Sequence, residues 1–277
     1  MAGRFQDLHG QDPPLALITP RIGIQLHLLK GTVTSSHAAT LRHACCGPPS
    51  LEYLRIKNEW SEARVSSINW QAHGSALGKQ ISHRIHFVKL VHHIFPTHRQ
   101  QNRMDMGHRT CPCCHSLQED RDHILQCPSD TRNKWRHTFL DKVLEACATN
   151  GTYAPLQQLL LGALRQWLNP SQQSIDHLPF APYHVELHPL IRAQKCIGWR
   201  QLFNGRFCQQ WEDIQNNFLY QHRQHLPTKQ SSGKKWQVAM ITVIWEQWYV
   251  LWKLRNNDVH GKDVAVQAIA DKREGSR

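Results

Sequence analysis

Apolar positions recur at three- and four-residue intervals along most of this chain, the period of an amphipathic helix. The exception comes near the start. Ile22, Ile24, Leu26 and Leu28 alternate with their neighbours, a half-buried strand pattern, and Lys30-Gly31 turns the chain toward Thr32-Val33-Thr34. A short hairpin over 22–34 is expected. An isolated hairpin is marginal in water, so this one needs a partner, either the helices or a separate domain or protein. Residues 1–20 are polar and proline-rich and read as a lead-in.

Helical patterning then takes over. Ser35 and Ser36 are placed to cap "SSHAATLRHA", and Pro48-Pro49 precede a helix containing Leu51, Leu54 and Ile56. "NWQAHGSALGKQISHRIHFVKLVHHIFP" reads as one longer helical stretch. Its apolar stripe is Ile81, Ile85, Val88 and Val91 or Ile94, and Pro96 closes it. "SDTRNKWRHTFLDKVLEACATNG" offers Ser129 or Asp130 as N-cap and Gly151 beyond its end. "APLQQLLLGALRQWLNP" stops at Pro170, and a polar loop with several prolines fills roughly 170–187. The last third predicts three more helices, with Gly205 between the first two and "LPTKQSSGKK" before the third. In that last helix Ile241, Trp245, Trp248 and Trp252 form one apolar stripe, which is core or a seam for a partner helix rather than a cofactor box. No fixed-period repeat is visible, so a solenoid is not indicated.

Composition narrows the function classes. A chain of 277 residues, 40% apolar and with ten tryptophans, has the means to bury a core in one or two domains. Its net charge of +12, with twenty histidines besides, favours a polyanionic partner: nucleic acid first, an anionic membrane surface second. No membrane association by a spanning helix is expected, because the run "WQVAMITVIWEQWYVLW" is broken by Glu246 and Gln247. The N-terminus lacks the charged start and apolar stretch of a signal peptide, so the expected compartment is intracellular, nucleus or cytoplasm. Nine cysteines there read as free thiols or metal ligands rather than disulfides.

Chemistry is densest in "TCPCCHSLQEDRDHILQCP". Cys111 and Cys114 are spaced C-x2-C, which lets a tight turn aim two thiolates at one ion. His123 and Cys127 are spaced H-x3-C, which puts both on one face if the segment is helical. Together they make a tetrahedral set suited to a structural Zn2+; four protein ligands leave no open position for catalysis. Cys113 and His115 remain alternative ligands. Cys113 would give C-x-C or C-C pairs with poorer turn geometry, and His115 sits beside Cys114. The expected fold class is therefore mostly α: an irregular multi-helix fold with a small zinc knuckle and a short N-terminal β-hairpin. Three regions are expected: 1–50 as lead-in and hairpin, 51–150 as a helical region with the zinc segment, and 151–277 as a C-terminal helical region.

The same stretch, continued into "RNKW", resembles the zinc-binding segment that follows the polymerase in non-LTR retrotransposon reverse transcriptases. The matching positions are Glu119-Asp120, His123, Ile124-Leu125, Cys127-Pro128 and Trp135. Upstream, Lys89, Phe95, Pro96 and Thr97 resemble the family's helix ending in L-P-T. Downstream, Trp248, Trp252, Arg255 and Asn256 resemble its W-x-x-W-x-x-R-N stretch, and "IGWRQLFNGRFCQQWEDIQ" looks like the tail of related element-encoded reading frames. The likeness is strongest over 68–136 and weaker to 260. It implies the ligands Cys111, Cys114, His123 and Cys127. The inserted "CCHS" departs from the family pattern and leaves the ligand choice open. There is no Y-x-D-D stretch and no carboxylate set of the kind a ribonuclease H uses. The resemblance thus implies a fragment or descendant of the element's C-terminal region without its catalytic parts.

Between Gly78 and Met104 there are five Lys/Arg and no acid: Lys79, Arg84, Lys89, Arg99 and Arg103. Arg109, Arg132, Lys134 and Arg136 flank the zinc segment. These nine are the candidate contacts to RNA or DNA phosphates, with salt-dependent binding. Phe87, Phe95 and Trp135 read as core rather than as stacking platforms. Cys147, Cys196 and Cys208 sit in apolar helical contexts where thiols are inert, and Cys45-Cys46 beside His43 lack an orienting third group. A histidine-metal nuclease around His92, His93 and Asn102 is the only enzymatic version worth testing, and the expectation is a non-enzyme. The leading function is non-catalytic nucleic-acid binding on a zinc-stabilised frame. The alternative is a helical protein-interaction scaffold whose zinc is purely structural.

Overall fold

The computed structural model describes residues 26–28, 31–33, 50–92, 94, 97, 110–116, 119–169, 184–222 and 232–274, with side chains through 261 in the last of these. The chain forms two compact units, residues 1–59 and 60–277. In the first, Leu26–Leu28 (β1) pairs antiparallel with Gly31–Val33 (β2), Leu26 opposite Val33. Only this backbone pairing of the hairpin expected at 22–34 is described; its side chains, the lead-in and "SSHAATLRHA" lie outside the described residues. A helix over 50–57 (α1) follows Pro48-Pro49 and carries a Glu52–Arg55 ion pair at 2.6 Å.

The described part is mostly helical, as expected. In the second unit α2 (Glu62–Ser67) is capped by Ser61, whose side chain accepts from the Arg64 N–H. Next, α3 (Trp70–Lys79) is capped by Asn69, which accepts from the Ala72 N–H at 3.0 Å. A 3-10 turn (Ile81–His83) leads into α4 (Arg84–Val91). The short α5 (Arg121–Gln126) precedes the long α6 (Asp130–Thr149) and α7 (Ala154–Leu168). Then come α8 (His188–Ile197), a 3-10 segment (Trp199–Asn204), α9 (Gln209–Gln221) and α10 (Gly233–Glu274). No helix among the described residues is long and apolar enough to cross a membrane.

The long C-terminal helix is the axis of the core. It buries Trp236, Met240, Ile241, Ile244, Trp245, Trp248, Leu251 and Trp252, a set too broad for one face. A helix apolar on several sides must be surrounded, and α3, α6 and α9 pack around it. The expected stripe Ile241, Trp245, Trp248 and Trp252 is thus spent on the chain's own core: Phe87 stacks on Trp245 at 5.4 Å and His73 meets its edge at 5.3 Å. Small residues on α3, Ala72 and Ala76, are fully buried and permit close approach. Asn69 ties this corner, donating to Glu212 at 2.6 Å and to Gln237 at 3.0 Å. Gly205 is required twice over. Its φ is +68°, and an added Cβ would lie 2.6 Å from Trp245 and 2.7 Å from Ile241.

Several boundaries differ from the sequence reading. The stretch from 68 to 95 is not one helix. Gln80 leaves helical geometry (φ −94°, ψ 48°) and its side chain reaches Glu246 at 3.4 Å. The following turn restarts the helix in a new register, so the buried residues are Phe87, Leu90 and Val91. Of the expected stripe, Val91 is buried and Val88 half-buried, whereas Ile81, Ile85 and Ile94 are 83%, 75% and 49% exposed. Gly198, at φ +101°, ends α8, and a 3-10 segment stands where continuous helix was expected up to Gly205. The last helix runs past Gly261 to Glu274. The helices α6 and α7, on either side of position 150, bury Phe139, Val143, Leu160 and Leu164 in one core.

Candidate metal centre

Two local structures deliver the ligands. The first is a turn over 110–116, in which the Cys111 N–H donates to the Ser116 carbonyl (2.9 Å) and the His115 N–H to the Cys111 carbonyl (3.0 Å). This loop carries Cys111 and Cys114. The second is α5, whose N-cap Asp120 accepts from the His123 N–H at 2.8 Å. That bond fixes the backbone of His123 directly. Cys127 sits one residue past the end of α5, a turn beyond His123, as the H-x3-C spacing requires. Ile124 and Leu125, on the other side of this short helix, are buried and anchor it in the core.

The four donors converge. Cys111, Cys114, His123 and Cys127 place their ligand atoms within 4.8 Å of one another. The Cys111 and Cys127 sulfurs are 3.8 Å apart, and Cys114 Sγ lies 3.2 Å from His123 Nε2. A tetrahedron with metal–sulfur bonds of about 2.3 Å has a sulfur–sulfur edge of about 3.8 Å. The donor set and its spacing therefore fit one metal ion bound by four protein atoms. Cys111 and Cys127 are buried, Cys114 and His123 half-buried. The two buried sulfurs are a coupled pair. Cys127 is pushed down, chiefly by the hydrogen bond from Cys111, while Cys111 is pushed up by that same bond and by burial. Cys111 and Cys127 would hold a cation as thiolates, giving up the proton they share.

The two alternative ligands have other places. Cys113 donates to Asp258 on α10 at 3.0 Å and receives a bond from Arg132 at 3.4 Å. Burial first, then that carboxylate, push its thiol up to about 12. His115 is exposed, at a left-handed φ of 58°. Neither belongs to the cluster.

No family model matches the chain, and neither a curated protein nor a solved structure gives a significant match. The geometry must therefore speak for the neighbouring residues too. Glu119, immediately before the α5 cap, is gripped by Arg255 of α10 through two bonds, 2.9 and 2.6 Å. Their side chains are 1% and 3% exposed. Sequence reasoning passed over this pair as a structural unit. Its signal was present, an acid beside the ligands of a basic chain and an arginine following the tryptophan stripe, but nothing in one sequence says that residues so far apart meet.

The candidate phosphate contacts divide. Lys79, Arg84, Lys89 and Lys134 are exposed. Arg132 is buried against Asp258 and Cys113. Arg136 donates to the carbonyls of Leu125 (3.0 Å) and Cys127 (2.9 Å) at the C-terminal end of α5, where a cation is favoured. Arg99, Arg103 and Arg109 lie outside the described residues, as do Phe95, His93, Asn102, Cys45 and Cys46. Phe87 and Trp135 are core; Trp135 stacks on Phe139 at 5.2 Å and donates to the Gln247 carbonyl at 3.0 Å. Cys147 and Cys208 are buried, whereas Cys196 is exposed on α8.

Proposed function

We propose that this protein is a non-catalytic nucleic-acid-binding protein whose helical frame is stabilised by a structural zinc, of the kind that follows the polymerase in non-LTR retrotransposon reverse transcriptases. Zinc is the ion that suits three thiolates and one imidazole in a closed tetrahedron. With four protein donors at one point, no coordination position is left for water or substrate. The likeness is supported by roles its matched residues take: Glu119 pairs with Arg255, Asp120 caps α5, Ile124, Leu125 and Trp135 are buried.

One observation carries the binding reading. Lys79 at the end of α3 and Arg84 and Lys89 on α4 are exposed, in a segment, Gly78–Met104, that contains no acid. Such a cluster of cations neutralises phosphates and releases counterions. The test is anisotropy of labelled RNA and DNA with the metal-loaded protein across a salt series. Affinity should fall steeply with salt, and changing Arg84 and Lys89 to Glu should weaken binding and flatten the salt slope while circular dichroism stays constant. Absence of binding at low salt would leave the second reading, a helical interaction scaffold with purely structural zinc. That reading is favoured by Arg132 and Arg136, which are committed to the fold.

A further inference from the structure

The isoleucine stripe that the core does not use needs an occupant. The 3-10 turn and α4 press one side against the C-terminal helix. His83 stacks on Tyr249 at 4.2 Å, His86 meets Tyr249 at 4.8 Å, and Phe87 stacks on Trp245 at 5.4 Å. On α4, at about 100° per residue, the opposite side carries Ile85 and, partly buried, Val88, and Ile81 is exposed on the 3-10 turn just before it. Ile81 and Ile85 are among the most exposed large apolar residues described, at 83% and 75%. Arg84 borders this stripe on one flank and Lys89 on the other, with Lys79 just before it; all are exposed. Glu246, across from the start of the turn, is occupied by Gln80 at 3.4 Å.

We infer that this face is a binding surface for an unpaired polynucleotide strand, the isoleucines contacting base faces while Lys79, Arg84 and Lys89 take the flanking phosphates. The inference rests on the nucleic-acid reading and specifies its partner. Charge complementarity selects a polyanion, since both flanks of the stripe are cationic. The apolar centre selects among polyanions. A duplex presents phosphates and groove edges outward and hides its base faces, so two exposed isoleucines gain nothing against it. A single strand offers apolar base faces between its phosphates, and such contacts tolerate any sequence. An anionic membrane offers charge with an apolar layer behind it, but insertion of an amphipathic surface calls for a larger apolar face than two isoleucines.

The experiment uses the full, metal-loaded chain and three probes: a short oligouridylate or oligothymidylate, a duplex of similar length, and phosphatidylserine-containing vesicles. Wild type should bind single strands about tenfold more tightly than duplex at equal salt. Ile81→Ser with Ile85→Ser should remove most of that preference, roughly tenfold, with the salt slope unchanged. Ile81→Val with Ile85→Val should retain it. An oligodeoxyuridylate, which differs from the oligouridylate only in lacking the 2′-hydroxyl, says whether the strand is RNA or DNA. Equal binding of single strand and duplex, insensitive to the serine pair, overturns the inference yet leaves nucleic-acid binding standing. Vesicle binding that is lost in the serine pair, without single-strand preference, assigns the face to lipid and overturns it too. Binding of no probe at low salt removes the nucleic-acid reading itself.

Discussion

Breaking the Glu119–Arg255 pair should be the most damaging single change outside the ligands. The two groups make bonds of 2.9 and 2.6 Å and are almost wholly shielded from water. Removing one partner of such a pair leaves a buried charge uncompensated and costs roughly 3–5 kcal/mol. The two truncations are not equivalent. Glu119→Ala leaves a guanidinium that still lies 5.1 Å over the Trp252 ring, so its cost belongs near the low end. Arg255→Leu leaves a carboxylate that is 1% exposed and has lost both of those bonds, so its cost falls within the same range. Glu119→Gln keeps an acceptor and should cost least. Against a total stability of about 5–15 kcal/mol, every variant remains measurable by urea denaturation of the metal-loaded protein. The double variant Glu119→Ala with Arg255→Leu should lose clearly less than the two singles added together, because it removes both charges. Additive losses, or a Glu119→Ala cost below about 1 kcal/mol, would show that the pair is not a closed buried unit.

Three further changes test separate parts of the structure. Cys114→Ser should lower bound metal, read as ions per chain by native mass spectrometry, whereas Cys113→Ser should leave it at one, since Cys113 faces Asp258 and Arg132; full metal loss in the latter would reassign the ligand set. Gly205→Ala should destabilise by about 1–3 kcal/mol in thermal unfolding, because the φ of +68° and the 2.6 Å approach to Trp245 both oppose a side chain. His73 is pushed down to about 4 by burial and by the nearby Arg206 charge, and its Nδ1 lies 3.1 Å from the Gly205 carbonyl. Its unfolded value lies higher, so the unfolded chain takes up the proton first and stability falls as pH drops from about 6.5 toward 4. Urea midpoints of wild type should therefore decline more across that window than those of His73→Gln; parallel curves would place His73 in a more solvated site.

Helical periodicity was legible wherever one face alone is apolar. On α6 the buried Trp135, Phe139, Val143 and Cys147 are four residues apart, flanked by the partly buried Leu140 and by Leu144, which is exposed. The segment after Gln80 has two apolar faces, Ile81 with Ile85 and Phe87 with Leu90 and Val91. Both have helical spacing, and period alone does not say which is inside. The decision comes from the break at Gln80 and from aromatic partners on α10, distant in sequence. The metal ligands were legible for the opposite reason: all lie between 111 and 127, so local spacing carries the geometry.

The same contrast explains which arginines can serve an outside partner. Charge along the chain counts Arg84, Arg132 and Arg136 alike. Burial and donors separate them: Arg132 needs Asp258, Arg136 needs the carbonyls ending α5, and Arg84 projects from the side of its helix away from the core. The committed arginines cluster where the metal loop meets α6 and α10. There Cys113, Glu119, Arg132, Arg255 and Asp258 bind one another across elements. A metal held by Cys111, Cys114, His123 and Cys127 would thus close a loop whose neighbours grip the C-terminal helix. Charge at this junction serves cohesion. The exposed cations Lys79, Arg84 and Lys89 lie instead on α3 and α4, where the chain leaves apolar surface exposed beside them.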